Sequence, residues 1–95
     1  MAWRLRYEPD FYAFLRRAPY EVDQAAIMAT VESWADTGPP PEAVTRLVAG
    51  YMLHEFSMPD GVLIKFHTEE DGEGGGEIIA SHIIFRHWTR PDLPT

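Results

Sequence analysis

The segment Ser81–Trp88, SHIIFRHW, begins as a hydrophobic strand and closes on Arg86, His87 and Trp88. A histidine takes or gives a proton near neutral pH. An arginine keeps its charge and forks onto phosphate or carboxylate oxygens. Glu55 in HEF and Lys65 in GVLIKF add a carboxylate and an ammonium on neighbouring segments. Glu55, Lys65, Arg86 and His87 are therefore a set suited to proton transfer beside a stabilised negative charge. Strand alternation places Arg86 and Trp88 on one face with His82 and Ile84, and His87 on the other with Ile83 and Phe85. Arg86 and His87 reach one site only across a bulge or a frayed strand end. The plain alternative is a strand end meeting water.

The arginines are bunched. Arg4 and Arg6 in WRLRY and Arg16 and Arg17 in LRR are half of the chain's cations, and they could form a phosphate-binding patch. The plain alternative is pairing with Glu8, Asp10 and neighbouring acids, each pair contributing little. His54, His67, His82 and His87 all fall on expected strands and raise the question of zinc. The chain has no cysteine and no HExxH motif, so no metal and no cofactor is expected. The run Glu69–Glu77, EEDGEGGGE, lacks the spacing of a calcium loop and reads as a solvated hairpin tip. It carries much of a net charge of −7, a balance that repels nucleic acid at long range while leaving room for a local basic patch.

These groups must be positioned by one domain, since the chain is 95 residues long and a chain of that size builds a single small core. In Trp3–Tyr7, WRLRY, apolar and basic residues alternate as in a half-buried strand. Pro9 fits the first turn of a helix, and Phe11, Phe14, Leu15 and Ala18 follow as its apolar stripe up to Pro19. A second helix is expected over Tyr20–Asp36, with Glu21 and Asp23 in its first turn and Ile27, Val31 and Trp34 as its stripe. Gly38 and the run Pro39–Pro41 end it. Pro41–Gly50, PEAVTRLVAG, fits one or two helical turns. Strands are expected at Tyr51–Met58, Val62–His67 and Ile78–Trp88, the first two joined by the turn residues Pro59, Asp60 and Gly61. Val62, Ile64 and Phe66 should face the helices, and Leu63, Lys65 and His67 the other side. Trp34, Met28, Met52 and Phe56 read as core. The order is β-α-α-β-β-β, a two-layer α+β domain with a helical hairpin packed on one face of a mainly antiparallel sheet. Its ordered core spans about residues 3–88, followed by a loose tail over 89–95. The N-terminus lacks the apolar stretch of a signal peptide, and no segment approaches the ~20 apolar residues that span a bilayer. A cytoplasmic protein without a membrane partner is the expectation.

The whole layout, from WRLRYEPDF through the proline-marked link PPPEAVTRLVAGYMLHEF to IIASHIIFRHW, resembles the RelE/ParE superfamily of toxins from bacterial toxin–antitoxin pairs. The resemblance runs from Trp3 to Trp88. It implies a RelE-like fold and a cognate antitoxin as partner. It also implies one of two targets, mRNA in the ribosome or DNA gyrase, and it leaves room for a homodimer. RNase members of the family work without a metal: the RNA 2′-OH attacks the adjacent phosphate while side chains on the concave sheet face move protons and hold charge. In that likeness His87 is the proton-transfer group, Arg86 a phosphate contact and Glu55 a general base. Where the family often carries an arginine on the third strand, GVLIKF has Val62 or Leu63, and Lys65 is the nearby cation. The implied activity is a metal-independent, ribosome-dependent endoribonuclease. The alternative is a non-catalytic interaction module on the same scaffold, inhibiting gyrase or binding an antitoxin.

Overall fold

The computed structural model describes residues 3–20, 22–59 and 61–85. The element order is β1 (Trp3–Tyr7), α1 (Pro9–Arg16), α2 (Gln24–Thr37), β2 (Val44–Val48), β3 (Tyr51–Ser57), β4 (Val62–Glu70) and β5 (Gly76–Phe85). The five strands make one sheet in the order β1-β5-β4-β3-β2. Strands β2 to β5 form an antiparallel meander, and β1 joins its far edge parallel to β5. A parallel neighbour needs a crossover connection: the two helices carry the chain from β1 at one edge to β2 at the other, and the meander returns it to β5.

Local chemistry explains where each helix starts and stops. Glu8 is extended at φ −71° and ψ 149°, and Pro9 follows at the first helical position, where a missing N–H costs nothing. The second helix begins later than its acidic residues suggest. Asp23 lies outside it as the N-cap, its Oδ1 accepting from the Ala26 N–H at 3.0 Å, because a carboxylate satisfies an orphan donor from that position. Helix α2 ends at Gly38, where φ is +83° and the N–H donates to the Trp34 carbonyl at 2.8 Å.

Both helices cover one face of the sheet. Phe11, Ile27, Val31 and Trp34 are buried against Val62, Ile64, Phe66, Ile78, Ala80 and Ile83, while Phe14 and Leu15 pack at the margin. The Trp34 ring stands 4.7 Å from that of Phe66 and 5.6 Å from that of Phe56. Trp3, Leu5 and Tyr7 join this core from β1, which leaves Arg4 and Arg6 on the outer face, as the alternation requires.

Three expectations fail here. Pro41–Gly50 makes no helical turn. Val44–Val48 is the edge strand β2, paired from Val44 opposite Glu55 to Val48 opposite Tyr51. Ala49 and Gly50 close that hairpin at φ +52° and +85°, the two left-handed positions a tight hairpin turn needs. Met52 is not core: it is 55% exposed, beside Leu47 at 71%, because the helices pack over β1 and β5 and leave the β2–β3 hairpin bare on that side. The hairpin loop is also shorter than the acidic run suggests. Pairing continues to Glu70 opposite Gly76, and Asp71 organises the tip by accepting from the N–H groups of Glu73 and Gly75. The Glu73 N–H, the larger cause, holds the Asp71 carboxyl below its ordinary value against the opposing effect of burial.

Candidate functional site

A bulge in β5 shapes the outer face. Lys65 pairs with His82 and the next residue, Phe66, pairs with Ala80, so Ser81 has no partner of its own. Its hydroxyl donates to the Lys65 carbonyl at 3.2 Å, and the Glu8 N–H donates to Ala80 O at 2.9 Å where β1 runs out. The extra residue reverses the alternation of the strand. Ile78 and Ala80 point into the core before the bulge, and Ile83 and Phe85 after it. Ser81 and His82, adjacent in sequence, both reach the outer face.

That face is concave. An open groove of about 490 Å³ runs across it, lined by Lys65 and His67 of β4, Ser81 and His82 of β5, and Leu53 of β3. Glu8 and Ala49 of the β2–β3 turn complete the lining. Its setting is partly apolar: Leu63 and Ile79, which alternation puts on this face, are buried yet stand outside the core beneath the helices. Lys65 and His67 share a face because they are two residues apart on one strand. The His82 ring packs 5.1 Å from that of Phe14, so α1 helps to fix where this imidazole sits.

Glu55 and Lys65 are brought together as directly opposed residues of β3 and β4. Glu55 Oε2 lies 3.6 Å from Lys65 Nζ, and Glu55 Oε1 accepts from Arg46 Nε at 3.0 Å. Burial of the Glu55 carboxyl works to raise its pKa, but the Arg46 hydrogen bond and the charges of Arg46 and Lys65 outweigh it and hold the group below its ordinary value. A carboxylate held ionised between two cations is a poor proton acceptor. Its geometry suits it to positioning Lys65, whose partner on the other neighbouring strand is His82.

Arg86 and His87 lie outside the described residues. Arg6 pairs with Glu77 at 3.6 Å, and Arg4 lies on the same face of β1. Arg16 and Arg17 sit at the C-terminal end of α1, both exposed. The histidines divide between the faces. His54 points inward, its Nδ1 2.8 Å from Thr45 Oγ1 and its ring 5.1 Å from that of Phe66. Burial first, and the nearby His67 second, lower its pKa. Among the described residues no three His, Asp or Glu side chains are grouped so as to hold a metal ion, and no helix is long and apolar enough to cross a membrane. The groove histidines His67 and His82 were the residues hardest to choose from the sequence. His67 carried a signal, two residues after Lys65 on an alternating strand, whereas the phase of His82 depends on a bulge that no residue pattern announces. No family model matches the chain, and no curated protein matches it significantly.

Proposed function

We propose that the chain is the toxin-like member of a toxin–antitoxin pair of the RelE/ParE kind, acting as a ribosome-dependent mRNA endoribonuclease. The observation that carries this reading is the groove on the outer face of the sheet, which Lys65, His67 and His82 all line. These are side chains able to hold a phosphate and move protons. The element order supports it too: a leading strand, a helical hairpin and an antiparallel meander whose last strand lies beside the first. In such a site the RNA 2′-oxygen attacks the adjacent phosphorus, the 5′-oxygen leaves, and Lys65 stabilises the charge that builds on the phosphoryl oxygens. Glu55 keeps the Lys65 ammonium at the groove.

The test is to add the purified protein to ribosomes stalled on a defined message and map new RNA ends by primer extension. Cleavage at discrete positions in the ribosome-bound message, lost in Lys65→Ala, is the expected result. A message that stays whole at stoichiometric protein overturns the reading.

A second reading is favoured by a separate observation. Val44, Leu47 and Met52 on the β2–β3 hairpin are 55%, 71% and 55% exposed, and β2 is an edge strand with unpaired backbone groups. Those features suit a non-catalytic module that docks a protein, a gyrase inhibitor or antitoxin-binding protein among them. Inhibition of supercoiling by gyrase, with messages left intact, is the outcome that would move this reading ahead.

A further inference from the structure

We infer that His67 and His82 are the proton-transfer pair of the groove, one removing the proton from the attacking 2′-hydroxyl and the other protonating the leaving 5′-oxygen. The inference rests on the endoribonuclease reading and names the catalytic residues of that site.

The register sets the arrangement. His82 lies directly across from Lys65, and His67 follows Lys65 by two residues on the same face of β4. His67 and His82 are therefore diagonal to one another, with Lys65 at the corner between them and the unpaired Ser81 falling between their registers. An in-line displacement holds the entering and leaving oxygens on opposite sides of phosphorus. Two groups that each come within about 2.6–3.2 Å of one of those oxygens must stand well apart, as a diagonal pair does. Lys65 at the corner then faces the non-bridging oxygens. Ser81, between the two rows, is no rival as a nucleophile, since its hydroxyl is committed to the Lys65 carbonyl. Glu55 is no rival as a base, since Arg46 and Lys65 hold its carboxylate.

The step balances without any further reactant. The bond between O2′ and phosphorus forms as the bond between phosphorus and O5′ breaks. One neutral imidazole gains the proton of the 2′-hydroxyl, and one imidazolium gives its proton to O5′. The products are a 2′,3′-cyclic phosphate and a free 5′-hydroxyl, with the two rings left in exchanged protonation states for water to reset.

The test uses the full chain and stalled ribosomes. His67→Ala and His82→Ala should each slow cleavage by about 10²–10⁴-fold. A second message carries sulfur in place of the bridging 5′-oxygen at the mapped cut. A thiolate leaves without being protonated, so this message should restore speed to the variant lacking the acid and leave the other slow. A change that merely disturbs the fold cannot produce that split, and if either alanine variant does not fold, His67→Gln or His82→Gln takes its place. Both variants cutting at the wild-type rate overturns the pair while the endoribonuclease reading stands. Rescue of both variants, or of neither, also overturns it. A wild type that cuts no message overturns the reading and the pair together.

Discussion

Replacing Trp34 with alanine removes the centre of the core on which the outer face rests. Trp34 is 3% exposed, and its ring contacts those of Phe56 and Phe66 at 5.6 Å and 4.7 Å. Burying an indole hides about 150–250 Å², worth roughly 4–6 kcal/mol at ~25 cal/mol per Å². Alanine recovers part of that. The two aromatic pairs each contribute about 0.5–1.5 kcal/mol beyond area. Helix α2 cannot slide into the vacated space without pulling Ile27 and Val31 from their own sites, so the cavity persists and the loss falls at about 3–5 kcal/mol. A domain of 95 residues has a total of roughly 5–14 kcal/mol, so the variant sits near the limit of folding. Its melting temperature should drop by about 15–30 °C. Far-UV circular dichroism under urea and heat is the assay, because removing Trp34 also removes a fluorophore. A loss under about 1 kcal/mol would refute the reasoning and make Trp34 peripheral.

Three further outcomes follow from particular contacts. Gly76→Ala should cost about 3 kcal/mol in urea denaturation, since a Cβ at φ +151° would overlap Glu69 O and lie 2.8 Å from Glu70 Cα. Gly72→Ala, with open space around it at φ +82°, should cost only about 1–2 kcal/mol, and equal losses would discredit the packing of the loop. For His54, burial and His67 lower the folded-state pKa from 6.5. The unfolded chain therefore binds the proton first, and stability falls as pH drops from 6.5 toward the folded value. Urea titrations at stepped pH should show that slope reduced in His54→Gln, and an unchanged slope would contradict it. Glu55, held below its ordinary value of 4.5, contributes stability present above 4.5 that disappears as pH falls through its folded value. Glu55→Gln should weaken that acid-side slope, and a variant that loses stability as steeply as wild type at low pH would count against the Arg46–Glu55–Lys65 network.

Much of the fold was written in patterns that a short stretch of chain carries alone. The stripe of Ile27, Val31 and Trp34 marks the buried face of α2, Val62, Ile64 and Phe66 mark the inward face of β4, and Pro9 and Gly38 mark helix ends. Each follows from local periodicity or local hydrogen bonding, which need no distant partner. Other features were decided only when distant segments met. The stretch from Val44 to Val48 has apolar spacing short enough to suit a helical turn or a strand, and it became β2 because β3 offers pairing along its length, with Thr45 on His54 and Arg46 on Glu55. The parallel seat of β1 beside β5 depends on the crossover made by both helices and the meander. The site depends on tertiary structure most of all. Lys65 and His67 are near in sequence, but His82 joins them because β5 carries one residue more than β4 can pair, and that mismatch of register puts Ser81 and His82 on one face. Register belongs to a pair of strands rather than to either one, so this part of the site was legible only in the folded molecule.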